Sequence, residues 1–158
     1  MKKRRKSIKE IFFSKVAEHM VVTITTPPTI GRLDKPLSEA RVAFVTTAGV
    51  RLKDQEPFET KKGDPSYRII PGDVDYKDLV VNHDHYDTSF AEEDINLVFP
   101  LEILRAFAEE GIIGEVAPHH IGLMGYIPQV KVLVNKTAPA IADLMVEDGV
   151  DIVLLSPG

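Results

Sequence analysis

The stretch Arg41-Val-Ala-Phe-Val-Thr-Thr-Ala-Gly49 decides the fold. Its short apolar run lacks the alternation of a half-exposed strand, which predicts a strand buried on both faces, as in a parallel sheet covered by helices. Two threonines, an alanine and a glycine follow. Ligands of such sheets bind at the carboxyl ends of the strands. The turn at Thr46, Thr47 and Gly49 is therefore either a binding site for a carboxylate or carbonyl oxygen, or a strand cap with a tight turn.

Further strands and helices alternate along the rest of the chain. A helix is predicted from Pro100 to Gly111, and a longer one over residues 128–147, kinked near Pro139 with Thr137 capping its second half. Strands are predicted at 67–70, 78–82, 112–116, 120–124 and 150–155. This order predicts an α/β fold of three layers around a parallel or mixed sheet, Rossmann-like or flavodoxin-like and incomplete at the C-terminus.

Two polar regions interrupt this pattern. Residues 1–40 are predicted to form an N-terminal arm and linker, with a helix at 7–20 and a β-like stretch at 21–26, ahead of a domain at 41–158. Residues 51–77 carry three prolines and two glycines, and so are predicted to form a long loop of functional importance or mobility.

Composition excludes several classes of function. The chain has 158 residues, a formal net charge of -5, and no apolar run near the roughly 18 residues of a membrane helix. The basic run from Lys2 to Lys6 is interpreted as a solvated terminus, so neither a nucleic acid nor a membrane is expected as a partner. Since there is no cysteine, disulfides, thiolate metal sites and a cysteine nucleophile are excluded.

The densest polar cluster is Asn82-His-Asp-His-Tyr-Asp87. On a strand, His83 and His85 would face the same side and could share a metal, with His119 or His120 as a third ligand. They could equally bind substrate or transfer protons as acid and base, or hold the loop backbone. Residue types and spacing leave these three interpretations open.

Several segments carry a resemblance to a known family. The chain resembles the selenoprotein B subunits of the glycine, sarcosine, betaine and D-proline reductases, with the D-proline reductase branch nearest. The matching segments are residues 41–53, 83–87, 90–96, 98–101, 110–114 and 148–155.

The resemblance implies a cytoplasmic, dithiol-dependent reductase subunit that cleaves a carbon–nitrogen bond of an amino acid or amine. A pyruvoyl group on a partner subunit would hold the substrate nitrogen, and a selenolate would attack the α-carbon. The selenocysteine is expected directly after Gly158. Within residues 1–158, only His83 and His85 are then candidates for a catalytic role, as acid or base. We thus expect the chain to be truncated at a UGA codon, inactive alone, and part of an oligomer in its complete form.

The resemblance also implies a substrate pocket. Its residues are Thr46, Thr47, Gly49, His83, Tyr86, Asp87, Gly122, Met124 and Gly125, to which His85 is added for its own chemistry. The chain departs from the D-proline reductase pattern at Asp84 and His85, and at residues 126–128, where glycines are expected. These departures leave the substrate open.

Two other functions compete with a reductase subunit. One is a metal-binding or small-ligand module built on His83 and His85. The other is a scaffold subunit that docks a pyruvoyl-containing partner, assisted by the arm of residues 1–40.

Overall fold

The computed structural model describes residues 31–157 together with Pro27 and Thr29. Almost all of them belong to one compact unit, Leu33–Gly158. The helix predicted at 7–20 and the β-like stretch predicted at 21–26 lie outside the described residues. In the described part of the chain, no helix is long and apolar enough to cross a membrane.

The main sheet is built around β1, Arg41–Thr46. Along one edge β1 pairs with β7, Ile152–Ser156; along the other it pairs first with β5, Glu115–Val116, and then with β6, His119–Leu123. These pairings are all parallel, whereas β3, Tyr67–Pro71, lies antiparallel to β6. The prediction of an α/β fold with a mixed, mostly parallel sheet is confirmed.

Helices cover both faces of this sheet. Val42 and Phe44 point into one core, where the helix that follows Pro100 supplies Leu101 and Leu104. The intervening residues of β1 enter a second core with Met145. The α-helices are α1 Ser89–Glu93, α2 Leu101–Glu109, α3 Val130–Val132 and α4 Ala138–Glu147. Burial of alternate β1 residues in two separate cores therefore produces the predicted three layers.

The strand predicted at 78–82 exists but lies outside the main sheet. β4, Leu79–Val81, pairs antiparallel with β2, Val50–Leu52, which overlaps the start of the region predicted to be a loop. Gly49, with φ of 78°, turns the chain so that β2 leaves the plane of β1. The prediction that residues 78–82 join the parallel sheet is wrong, because β2 satisfies the backbone of β4 instead.

The long C-terminal helical stretch has the predicted irregularity near Pro139. Residues Leu133–Thr137 form a π-helical turn between α3 and α4, which accommodates a proline that has no N–H to donate. The prediction that Thr137 caps the second half is wrong. Thr137 is helical and buried, and its hydroxyl donates to the carbonyl of Pro65 at 2.5 Å, so it fastens the helix to a loop.

His120 fills a gap in the ladder of β1. β5 and β6 are separated by Ala117 and Pro118, and the amide of Phe44 donates to Nδ1 of His120 at 2.8 Å. The imidazole is fully buried, with its ring 5.9 Å from that of Phe99. Burial, with a smaller effect of Arg105, lowers the pKa of His120 to about 4. The neutral ring is thus part of the core.

Gly122 allows the β2–β4 pair to pack on the main sheet. A Cβ at this position would lie 1.8 Å from the carbonyl oxygen of Val50, so Gly122→Ala must push β2 away. We expect the free energy of unfolding to fall by about 2 kcal/mol or more. Urea unfolding checks this against Gly31→Ala, where a Cβ meets nothing within 4 Å. Equal unfolding midpoints for the two variants would contradict the packing argument.

His120 also makes stability depend on pH. Its folded-state pKa is about 4 and the ordinary value is 6.5, so the unfolded chain takes up this proton first as the pH falls. Stability is lost between pH 6.5 and 4, by about 3 kcal/mol from this group. Urea unfolding over this range should give a flatter pH dependence for His120→Gln. An NMR titration that places His120 near 6.5 would show the inference to be wrong.

Candidate functional site

Three chain segments meet at the carboxyl end of β1. The amide of Thr47 donates to the carbonyl of Ser156 at 3.0 Å, and the amide of Gly49 donates to the carbonyl of Leu123 at 2.8 Å. Between them, Ala48 forms an isolated antiparallel bridge with Met124. The ends of β1, β6 and β7 are therefore tied together at the carboxyl edge of the sheet, which is the position of the ligand crevice in such folds.

The backbone amides of the β1 turn are all engaged within the protein. Besides the amides of Thr47 and Gly49, that of Ala48 donates to Oγ1 of Thr46 at 3.2 Å. Thr46 is fully buried. This geometry is that of the strand cap and tight turn. Binding of a substrate carboxylate by these amides would require that they exchange partners, and a substrate role for Thr46, Thr47 and Gly49 stays a prediction.

The histidine cluster lies directly beside this turn. The amide of Asn82 donates to the carbonyl of Gly49 at 2.9 Å, and the hydroxyl of Tyr86 donates to the carbonyl of Ala48 at 3.1 Å. Oδ1 of Asn82 accepts from the amide of Phe58 at 2.7 Å, which fixes the preceding loop against the cluster. Turn and cluster thus form one site, although they are more than 30 residues apart in sequence.

His83 is held as a neutral ring of defined tautomer. Its Nδ1 accepts from the amide of His85 at 3.0 Å, so the ring proton resides on Nε2. The side chain is buried, and Nε2 has no hydrogen-bond partner. Burial and then the neighbouring His85 lower the pKa of His83, against an opposing effect of Asp84. The site therefore contains one buried N–H donor without an acceptor.

His85 is held in a different way. Its Nε2 lies 2.9 Å from the carbonyl of Thr60, so that nitrogen is the donor. Its ring packs against Tyr126, with centroids 4.6 Å apart, and the hydroxyl of Thr60 donates to Asp84. β4 has already ended at Val81, so the two histidines do not alternate on a strand as predicted. Because Nε2 donates to Thr60, Nδ1 is the nitrogen of His85 that carries a lone pair. An acid or base role for His85 would therefore use Nδ1, and it stays a prediction.

The remaining predicted pocket residues differ in burial and in the contacts that they make. Asp87 is exposed, and its Oδ1 accepts from the amide of Ser89 at the start of α1; the hydrogen bonds to Ser89 lower the pKa of Asp87. Met124 is buried, with its sulfur 3.0 Å from the amide of Tyr126. Gly122 lies beneath Val50, while Gly125 is exposed. Asp87 and Gly122 thus have clear structural roles, and of these residues Asp87 and Gly125 are open to solvent.

The third ligand of the hypothetical metal site is not near His83. His119 and His120 begin β6, whereas the crevice is at its other end. His119 contacts the carboxylate of Asp148 at 3.0 Å, and His120 is bound to Phe44. Among the residues that the structure describes, no group of three or more histidine, aspartate and glutamate side chains is arranged to hold a metal ion.

Three residues of this site were not among the predicted pocket residues, although Asn82 opens the polar cluster and Tyr126 lies in the stretch that departs from the family pattern. Asn82 joins the histidine cluster to the β1 turn, Thr60 holds both Asp84 and His85, and Tyr126 supports the ring of His85. Asn82 opens the polar cluster and so carried a signal. Thr60 lies in an irregular loop without a periodic pattern, so no local signal placed it beside residues more than 20 positions away.

Comparison with known proteins agrees with the resemblance. A family described as glycine/sarcosine/betaine reductase selenoprotein B matches residues 10–157. The D-proline reductase subunit gamma of Acetoanaerobium sticklandii is 42% identical over 137 residues, which cover 87% of this chain and 56% of that protein. The sarcosine reductase complex component B subunit beta of Peptoclostridium acidaminophilum is 30% identical over 126 residues, which cover 77% of this chain and 29% of that protein.

A third relative is the glycine reductase complex component B subunit gamma of Peptoclostridium acidaminophilum. It is 29% identical over 131 residues, which cover 80% of this chain and 30% of that protein. The chain thus spans between 29% and 56% of the length of these three relatives. No solved structure matches the chain.

The bond between Tyr86 and Ala48 should stabilise the site measurably. Tyr86→Phe removes the donor to the Ala48 carbonyl, so we expect the free energy of unfolding to fall by about 1 kcal/mol. Amides of the β1 turn should also exchange faster with solvent. Tyr67→Phe is the matched control, because the Tyr67 hydroxyl has no hydrogen bond within the described residues. Identical losses in both variants would contradict the assignment.

Proposed function

The chain belongs to the glycine/sarcosine/betaine reductase selenoprotein B family, and we propose that it is a component of an amino-acid reductase of the D-proline reductase type. The complete subunit would contribute to reductive cleavage of the bond between the α-carbon and the nitrogen of an amino acid. The 42% identity over most of the chain supports the D-proline reductase branch in particular.

The proposed reaction transfers two electrons from a dithiol. A selenolate attacks the α-carbon, the carbon–nitrogen bond breaks, and the amine leaves with a proton. A thiol then attacks selenium, and the carbon departs with the bonding electrons and a second proton. The second thiol of the dithiol releases the selenolate and forms a disulfide. Since the chain has no cysteine, we propose that the nucleophile is a selenocysteine outside the described residues.

One geometric observation supports a nucleophile at this edge of the sheet. The carbonyl of Ser156 accepts from Thr47, so a loop that follows β7 emerges beside the β1 turn and the histidine cluster. A reactive group in such a loop would lie near the β1 turn. This arrangement follows the general position of sites at the carboxyl ends of parallel strands.

Partners and location are also part of the proposal. The relatives from Peptoclostridium acidaminophilum are named as components of multi-subunit reductase complexes, which supports a partner subunit for this chain. We propose a pyruvoyl-containing subunit that holds the substrate nitrogen, in an oligomeric complex within the cytoplasm.

The names of the relatives support a substrate class for this chain. D-proline, glycine, sarcosine and betaine differ in the substitution of nitrogen, which is cyclic, primary, secondary and quaternary respectively. All four carry a carboxylate on the carbon that bears this nitrogen. We propose that the substrate of this chain has the same two groups.

Departures from the D-proline reductase pattern fall on one wall of the site. His85 and Tyr126 are distant in sequence, but their rings are in contact. Asp84 and His85 are further joined to Thr60. These side chains replace glycines expected from the resemblance, so they narrow or reshape this wall of the site. The substrate is therefore to be identified by testing D-proline together with glycine, sarcosine and betaine.

Turnover of that panel tests the proposal. The complete subunit, produced with selenium and its partner subunits under anaerobic conditions, is supplied with dithiothreitol and each of the four compounds. We expect one to be consumed with an equal amount of dithiol, and D-proline would open to a linear ω-amino acid detectable by mass spectrometry. Replacement of the selenocysteine by serine should abolish turnover. Absence of dithiol-dependent cleavage of any of the four would refute the proposal.

A further inference from the structure

A buried hydrogen-bond donor without an acceptor stands out in the candidate site. His83 is only 9% exposed, and its Nε2 is buried with no partner. An unpaired buried donor costs about 1–3 kcal/mol, so proteins rarely retain one without a ligand or an ordered water to accept from it. The surrounding bonds hold the ring in place, because Nδ1 accepts from His85 and the ring packs 4.7 Å from that of Tyr86.

The fixed tautomer restricts what His83 can do. Nδ1 is occupied as an acceptor, and Nε2 carries the proton, so the ring has no free lone pair with which to act as a base. A neutral imidazole is also a far weaker acid than the imidazolium. What remains is donation of a hydrogen bond to a negatively charged or strongly polarised atom, which is strongest when the acceptor is ionised.

Several other donors around the crevice are already used. The amides of Thr47, Ala48 and Gly49 donate within the protein, and the hydroxyl of Tyr86 donates to Ala48. Nε2 of His85 donates to Thr60. Nε2–H of His83, by contrast, has no existing bond to displace, so an anion bound there would supply its missing acceptor.

We propose that neutral His83 binds the carboxylate of the substrate through Nε2–H. This inference rests on the proposed function, because it assigns one residue to the group shared by that substrate class. His83 would anchor the carboxylate while the nitrogen is held elsewhere, which orients the α-carbon toward the nucleophile.

His120 shows why burial alone does not identify such a residue. It has the same arrangement, with Nδ1 bound to a backbone amide and Nε2 buried without a partner. However, it is completely buried near the start of β6 and against Phe99, away from the crevice. His83 differs because it adjoins the β1 turn, where chain segments from three strands converge.

The test compares a carboxylate ligand with its carboxamide in the complete reductase complex. His83→Leu removes the donor, whereas His83→Gln retains an N–H near the position of Nε2. We expect the His83→Leu complex to bind its substrate, the amino acid that the unaltered complex cleaves, about tenfold to hundredfold more weakly. This is the effect of losing a hydrogen bond to a charged group. Binding of the corresponding carboxamide should change by less than about threefold, and His83→Gln should recover most of the affinity for the acid.

Controls separate binding from folding and from the proposed function. His119→Gln changes a histidine at the other end of β6 and should leave both affinities unchanged. Equal weakening for acid and amide, or none for either, would overturn the inference; the second result would indicate that only an ordered water occupies Nε2. If His83→Leu does not fold, His83→Gln is compared with His83→Asn, because the shorter asparagine does not carry its N–H to the position of Nε2. Failure of the unaltered complex to cleave any amino acid would instead refute the proposed function.

Discussion

The central strand β1 is hydrogen-bonded along both edges and packed on both faces, and the position of the candidate site depends on this. β7 occupies one edge for the whole strand, while β5 and β6 share the other. Such a strand cannot shift its register without exposing two cores at once. Hydrogen bonds hold the turn at its carboxyl end in place, and the histidine cluster is bound to this turn.

The break between β5 and β6 imposes a cost that His120 offsets. A central strand with an unpaired amide would be strongly destabilised, and Nδ1 of His120 supplies the missing acceptor for Phe44. The same side chain is then obliged to remain neutral in the core. His83 uses the same type of bond to a backbone amide, but at the edge of the crevice. The same bond from a backbone amide to Nδ1 thus has two consequences. It completes the core at His120, and at His83 it leaves Nε2–H without an acceptor beside the crevice.

The β2–β4 pair connects the turn to the chemistry of the cluster. Gly49 and Gly122 allow the pair to approach the sheet closely, since a Cβ on either would collide with a backbone carbonyl. This close approach brings Asn82 and His83 beside Ala48, and it brings the loop that contains Thr60 over Asp84 and His85. The same close approach makes neighbours of the two regions that depart from the D-proline reductase pattern, since the ring of His85 contacts that of Tyr126.

Sequence by itself determined the parts of this protein that local patterns encode. The unbroken apolar run of β1 and the Pro100 helix follow from burial and backbone conformation, which neighbouring residues specify. The matched segments were also enough to identify the family. Only the tertiary structure decided that β4 pairs with β2, that Thr137 binds Pro65 instead of capping a helix, and that Nε2 of His83 lacks an acceptor. Each of these depends on which distant group satisfies a hydrogen bond, and long-range partners are selected by the packing of the whole chain.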